Sequence, residues 1–437
     1  MTKFVRQSVL AVGGEVVIFV GSLLFGMITA RTLGPYGKGV LGVLSGAYGI
    51  LVTVLSLRFE RAVMYYSATK PDEVSRTVSG GLLVGGVMLF AFFPAYWFIP
   101  ESIRYYIFGG VPVEFVMVAL LFLPNTYLML MLSSLFAGQR RFEKRLAFLS
   151  IVHLVRVSIA FFGLVVFGLS LREFIILFSI TECALYGTLM VLVFRINRWT
   201  FRIDWSHLKE MLQYATAGSL SIPSELVLSN LFLLVLSVVR GSYEAGLFVV
   251  AIMMTNTLGQ FANALKDVIL PYAASDGNVD ESQVLRVLIS IELLMSVGLV
   301  LAGRFVLVLL YGTQFEDSFL PAVLLVPGVL GATVCSVLSA SLQGRGRPGL
   351  ASLAPGMGGL CAIALALWLI PLHGILGAAI ASAAANLVSA TTAVFLYVRQ
   401  TKSSMRHMFV LQGADIRATV AVVKDRWHVM RTGHGAE

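Results

Sequence analysis

The stretch Tyr36-Gly37-Lys38-Gly39-Val40 separates two apolar runs, and Tyr243-Glu244-Ala245-Gly246-Leu247 separates two more, 207 residues further on. A second pair keeps nearly the same offset. Leu132-Ser133-Ser134-Leu135, then Gly138-Gln139-Arg140, returns 206 residues later as Leu338-Ser339-Ala340-Ser341, then Gly344-Arg345-Gly346. A shared offset across separate turns marks an internal duplication. Outward from these turns, apolar segments fall at roughly 8–30, 40–57, 78–98, 112–136, 146–168, 173–194, 215–239, 246–270, 284–311, 319–342, 350–371 and 374–398. Most approach the ~20 residues that an α-helix needs to cross a bilayer. Six lie in each copy. Because six is even, the second copy enters the membrane in the same orientation, and the pseudo-twofold axis should run along the membrane normal.

The chemistry of the chain agrees. Of its 437 residues 13% are charged and 58% hydrophobic, and the mean hydropathy is +0.87, which leaves too little polar surface to coat soluble domains. In lipid every backbone N–H and C=O needs an internal partner, so helices or closed barrels remain, and runs of this length mean helices. The expected fold is an all-α membrane protein of about twelve transmembrane helices in two six-helix lobes. Residues 1–198 form the first lobe, 199–400 the second, and 401–437 a basic tail. In that tail Ile416, Val420, Val423, Trp427 and Met430 recur at helical spacing among Arg417, Lys424, Arg426 and Arg431, as in a helix lying on a membrane surface.

The net charge of +9 does not gather into a nucleic-acid patch. It follows topology instead. With the N-terminus inside, 24 of the 32 Lys and Arg residues fall on cytoplasmic segments, against Arg31, Lys38, Arg104, Arg172 and Arg240 outside. The positive-inside rule then places both termini in the cytoplasm. Lys3 and Arg6 precede an apolar run too long for a signal peptide, which is read as the first span. Cys183, Cys335 and Cys361 each sit within an apolar run without metal-ligand spacing, as small core residues. There is no P-loop, GxSxG or HExxH, and the longest polar loops, about 58–77 and 195–214, are too short to build a soluble active site. An enzyme, a metal centre and a bound cofactor are not expected.

Polar groups inside spans are costly in hydrocarbon and usually face a cavity or a partner. Ser8, Glu15, Ser22 and Thr29 recur on one face of the first span; Ser221, Glu225 and Ser229 on the seventh; Asn256, Gln260, Asn263 and Asp267, with Lys266, on the eighth. Together they outline a cleft between lobes. Glu15, Glu225 and Asp267 are candidates for coupling to H+ or Na+, or else structural ion-pair members. Asn256, Gln260, Asn263 and Lys266 are candidate cleft residues. Arg58 and Arg61 are either cytoplasmic anchors or cleft cations. Arg156, three residues after His153, faces either Glu182 or a ligand. Arg31 and Arg240 occupy nearly equivalent places in the repeat and either line the cleft or close the outer face, for instance with Glu244. Cations lining a cleft favour an anionic cargo, and Arg suits phosphate oxygens.

Ala30-Arg31-Thr32-Leu33-Gly34-Pro35-Tyr36-Gly37-Lys38-Gly39 resembles the ARxLGPxGxG stretch of bacterial oligosaccharide flippases of the multidrug/oligosaccharidyl-lipid/polysaccharide exporter superfamily. Phe136-Ala137-Gly138-Gln139 and Leu342-Gln343-Gly344-Arg345-Gly346-Arg347 extend the likeness over the whole chain. The resemblance implies a V-shaped pair of six-helix lobes that opens alternately to either side. It implies a cargo of undecaprenyl-pyrophosphate-linked oligosaccharide, moved from cytoplasm to periplasm across the inner membrane for O-antigen, capsule or exopolysaccharide assembly. It also implies cavity arginines that hold pyrophosphate, here Arg31, Arg58 and Arg61. Polymerase and chain-length proteins are the partners to expect, beside membrane lipids. Alternatives are a cation-coupled multidrug exporter of the same superfamily and a membrane glycan polymerase or ligase.

Overall fold

The computed structural model describes residues 2–139, 141–218, 222–275, 281–344 and 347–401. The basic tail lies outside them. The first helix, α1 (Thr2–Ser56), has 55 residues, more than twice what a bilayer crossing needs, and it doubles back at Gly34, where φ is 67°. Pro35 starts the second rod, at the position where a missing N–H costs nothing. The stretch expected as an outer loop, Tyr36 to Gly39, is therefore helical, and Lys38 is buried instead of exposed.

α2 (Phe59–Thr69) follows a break at Leu57 and Arg58, whose φ values are positive. Phe59, Ala62, Val63 and Tyr66 form its buried stripe, so the expected 58–77 loop is largely an amphipathic helix. Then come α3 (Val74–Phe98), two short helices α4 (Glu101–Ile107) and α5 (Val113–Val118), and α6 (Phe122–Gly138). α7 (Phe142–Ala160) ends in a π-helical turn, and α8 (Leu171–Ile196) opens with a capping box in which Ser170 and Glu173 satisfy each other's backbone N–H groups. α9 (Trp205–Gly218) is a separate helix, so the seventh span begins later than its apolar run suggested, with α10 (Ile222–Arg240). α11 (Ser242–Ser275), α12 (Glu281–Tyr311), α13 (Phe319–Gly344) and α14 (Pro348–Thr401) complete the bundle, and α14 doubles back at Gly374, φ 56°.

Seven helical stretches among the described residues are long and apolar enough to cross a membrane, two of them the bent rods Val17–Ser56 and Gly349–Thr401. Large apolar side chains face outward along them: Phe90 is 88% exposed and Leu301 81%. Such a surface belongs in lipid. All positive-φ glycines among the described residues, at 34, 109, 110, 168, 241, 312 and 374, lie in reversals between helices. These reversals gather at one end of the bundle, hereafter the Gly34 end. Gly34 and Gly241 are 207 residues apart, and Gly168 and Gly374 are 206 apart, so the duplication read in the sequence carries the backbone geometry as well.

Helices of the first half pack chiefly on one another, as do α10–α14, and the halves meet where α1 lies along α10 and α11. Gly39 and Gly246, equivalent residues of the repeat, face each other across that seam. A Cβ on Gly39 would overlap the Ser242 carbonyl and come within 2.8 Å of the Gly246 nitrogen, and one on Gly246 would overlap the Pro35 carbonyl. The backbones touch directly. Gly39→Val and Gly246→Val should each destabilise the purified protein by at least the ~1–3 kcal/mol of an overpacked core. The check is thermal unfolding in detergent, with Gly86→Val, whose added Cβ would meet nothing within 4 Å, as the tolerated control.

Candidate functional site

Polar contacts between the two halves form at both ends of the bundle, and at the Gly34 end they join α1 to α12 and the turn after it. Arg31, at the end of the first rod, donates from Nε to the Leu310 carbonyl at 2.9 Å and from Nη2 to Leu309. Those carbonyls belong to the last turn of α12, where no intrahelical donor remains. Gln314 answers from the other half, its Nε2 donating to the Ala30 carbonyl at 3.2 Å. Ser237 on α10 donates to Gly109 at 2.6 Å. Arg240 and Glu244 instead serve the turn at Gly374 within the second half. Arg240 donates to the Pro371 carbonyl at 2.9 Å on one side of it, and the Ile375 N–H donates to Glu244 Oε2 at 3.0 Å on the other. Each charge meets the helix terminus of opposite sign.

Inside the first half, Arg156 is held by Glu182 (Nε to Oε1, 2.5 Å), with Tyr186 Oη 3.3 Å from both. Of its two expected roles, the carboxylate partner is the one observed. Lys38 is 6% exposed, and its Nζ donates to Thr29 Oγ1 at 2.8 Å and to the Gly26 carbonyl at 3.4 Å. Its ammonium also lies 5.8 Å from the Phe25 ring centroid. No described carboxylate pairs with it. The rings of Phe25 and Phe178 touch at 5.5 Å, and Arg156 lies 6.0 Å from Phe178, so two aromatic rings stand between the buried Lys38 and the half-buried Arg156.

In the second half Glu292 is fully buried on α12, with Thr333 Oγ1 donating to its Oε1 at 2.6 Å. Its other oxygen has no described partner. This carboxylate was not among the expected site residues, although it is the lone ionisable residue between Arg286 and Arg304 in an apolar run. That isolation was a readable signal. Thr333 also borders a cavity of about 420 Å3 reached by Asn256.

At the opposite end, α9 lays Leu208, Met211 and Ala215 against the first half. Tyr65 and Tyr214 stack at 4.6 Å, Lys70 pairs with Glu210 at 2.9 Å, and Arg76 with Asp204 at 3.2 Å. His207, 4% exposed, places Nε2 2.9 Å from Thr77 Oγ1 and Nδ1 3.1 Å from Glu73. Backbone N–H groups of His207 and Ser206 hold the Asp204 carboxyl below its usual range, and the Lys70 ammonium does the same for Glu210.

Of the residues expected at the site, Arg31 and Arg240 are engaged with helix-end carbonyls, Arg156 with Glu182, and Asn256 lines the second-half cavity. Arg58 and Arg61 sit half-buried at the break before α2. Glu15, Glu225, Gln260, Asn263, Lys266 and Asp267 lie outside the described side chains. Of the three cysteines expected in the core, Cys335 is buried while Cys183 and Cys361 are half-buried, and all three are free thiols.

No protein-family model matches the chain, and no curated protein matches it in sequence. Solved structures do match in fold. The lipid II flippase MurJ in an inward closed conformation gives a TM-score of 0.66 over 99% of this chain and 94% of its own, at 14% identity. An inward-facing multidrug resistance MATE family transporter of the MOP superfamily gives 0.68 over 90% and 98%, at 13% identity. An outward-facing one gives 0.59 over 91% and 95%, at 14% identity. At these identities the likeness is one of fold: the chain is an all-helical, multi-pass membrane protein with the two-lobe architecture of MOP-type transporters.

Two outcomes follow from this geometry. Arg31→Ala removes charge-assisted bonds worth about 1 kcal/mol at an exposed site, so separation of the halves at the Gly34 end should become several-fold more populated. Spin-label distances between positions 36 and 313 report it. Burial lowers the His207 pKa against the opposing pull of Glu73. A lowered imidazole pKa makes its contribution to docking of α9 complete above the ordinary value of about 6.5 and lost as pH falls through the lowered one. Protection in 205–218, after correction for the intrinsic exchange rate, should therefore fall on acidification, and His207→Gln should flatten that dependence.

Proposed function

We propose that this chain is a flippase that carries undecaprenyl-pyrophosphate-linked oligosaccharide from the cytoplasmic to the outer leaflet of the inner membrane by alternating access. Residues 1–198 act as one lobe and 199–400 as the other, with both termini cytoplasmic, and the product feeds polymerase and chain-length proteins. The observation that carries the reading is Lys38: a buried cation beside the seam, held by a hydroxyl, a carbonyl and a ring, while the nearby Arg156 is neutralised by Glu182. Whenever Lys38 is protonated, a positive charge with no described carboxylate partner in a lipid-shielded interior favours an anionic head group. A pyrophosphate bearing sugars could not cross hydrocarbon unaided, whereas a wet cleft lets the head pass while the polyprenyl tail stays in lipid.

The transport cycle in this reading opens the end opposite Gly34 to load, then parts Arg31 and Gln314 from their carbonyls to release. Glu15, Glu225 and Asp267 keep their candidacy for coupling H+ or Na+, and Glu292 joins them. A second reading, a cation-coupled multidrug exporter, is favoured by the MATE likeness and by the buried acids Glu182 and Glu292.

Proteoliposomes decide between them. The first reading expects wild type to flip the lipid-linked oligosaccharide and Lys38→Met to reduce the rate about tenfold or more, with Lys38→Arg keeping part of it, because a tenfold loss corresponds to about 1.4 kcal/mol of head-group interaction. Export of a cationic drug with no movement of the lipid-linked sugar would establish the second.

A further inference from the structure

The cavity behind the seam has a polarity that its own hydrogen bonds dictate. Its walls come from α10, α11, α13 and α14, and its polar lining is Thr255, Asn256, Thr333, Ser336, Ser382 and Asn386. A hydroxyl has one proton to give. Thr333 spends its proton on Glu292 Oε1, 2.6 Å away. Thr255 spends its own on the carbonyls of Ala251 and Ile252, each at 3.1 Å, and the Asn386 amide donates to the Ser382 carbonyl at 2.9 Å. Lone pairs of Thr333, Thr255 and Asn386 therefore remain for a ligand. Glu292 is sealed behind Thr333, and among the described lining residues none is ionisable. The wall accepts at Thr333 and Thr255, keeps N–H and O–H donors at Asn256, Asn386, Ser336 and Ser382, and presents no charge.

That combination selects a neutral ligand whose groups both donate and accept hydrogen bonds, as sugar hydroxyls do. The volume of about 420 Å3 falls within the ~300–1,000 Å3 of small-molecule sites. It far exceeds the ~30 Å3 share of one water in the liquid, so a single bare ion would leave most of the space to be filled otherwise. Phe232 and Phe248 add apolar faces to the same cavity, and a sugar ring has C–H faces to lay on them as well as hydroxyl edges. We propose that this cavity is a saccharide subsite that receives an uncharged, hydroxyl-rich sugar ring of the cargo. Glu292 acts there as a positioning residue that orients Thr333 as an acceptor. The inference rests on the flippase reading and assigns the sugar to the second half, while the pyrophosphate is drawn to the cations of the first.

The test is binding of lipid probes to the full chain in nanodiscs: bare undecaprenyl pyrophosphate, and the same carrier bearing glucose, galactose or N-acetylglucosamine. Wild type should bind at least one glycosylated carrier about tenfold tighter than the bare one, a difference of about 1.4 kcal/mol. Asn386→Leu and Ser336→Val should abolish that gain and leave affinity for the bare carrier unchanged, which a merely structural role would not do. Glu292→Gln, whose amide oxygen can still accept from Thr333, should keep the gain. If the variants keep it as well, or if no sugar improves on the bare carrier, the subsite is refuted and the flippase reading stands. If wild type binds no carrier at all, the flippase reading fails and the subsite with it. Protection of the cavity by Na+ alone, without a sugar effect, would also overturn the proposal.

Discussion

The architecture depends on one close approach, the crossing of α1 and α11 at Gly39 and Gly246. With no hydrophobic force to drive helices together in lipid, association relies on surfaces that fit closely and on the few polar bonds they bring into reach. Two glycines let backbone meet backbone, and that contact sets where the halves can touch. Once it is made, Arg31 reaches the carbonyls of α12, Gln314 reaches those of α1, and Ser237 reaches Gly109. The halves are thus joined along α1 and α11, with polar bonds at both ends of the bundle.

The polar groups divide by depth. Near the Gly34 end, charges satisfy the ends of helices: Arg31, Arg240 and Glu244 all meet backbone termini, where a formal charge offsets the orphan groups of a helix exposed to a low-dielectric setting. Deeper, ionisable residues are few and individually arranged. Arg156 and Glu182 cancel, Lys38 is solvated by hydroxyl, carbonyl and ring, and Glu292 is paired on one oxygen by Thr333. Lys38, without a described carboxylate, in the first half and the uncharged polar wall in the second give the two halves different chemistry despite their duplicated plan. An amphiphilic, bipartite cargo would exploit that difference.

Much of the fold was legible because a bilayer imposes simple rules. Apolar runs of crossing length, a repeat with an offset near 207, and basic residues concentrated on alternate turns all mark passes, and the helices follow them with shifts at their ends. The departures have physical causes. Residues 59–69 and 205–218 read as polar loops because each is an amphipathic helix with only one buried stripe. Lys38 read as an outer-loop charge because Gly34 and Pro35 turn the chain within two residues, which places the lysine inside the second rod. Of the candidate site residues, Arg156 was read as facing either Glu182 or a ligand, and sequence had no means of choosing; the structure pairs it with Glu182. Glu292 stands alone in its apolar run, and a single acid makes no helical periodicity with other polar residues.

The sequence by itself determined that this is an all-helical membrane protein with a duplicated plan, because lipid leaves a chain of this composition no other way to satisfy its backbone. Only the tertiary structure decided which polar groups are spent on the protein and which remain for a ligand. Arg31, Arg156 and Arg240 look alike as cations among apolar residues, yet one bridges the halves, one is neutralised and one caps a turn. The reason is that partner choice depends on distances of a few ångströms between residues hundreds of positions apart, such as Arg31 and Leu310 or Glu292 and Thr333, and no spacing along the chain encodes them.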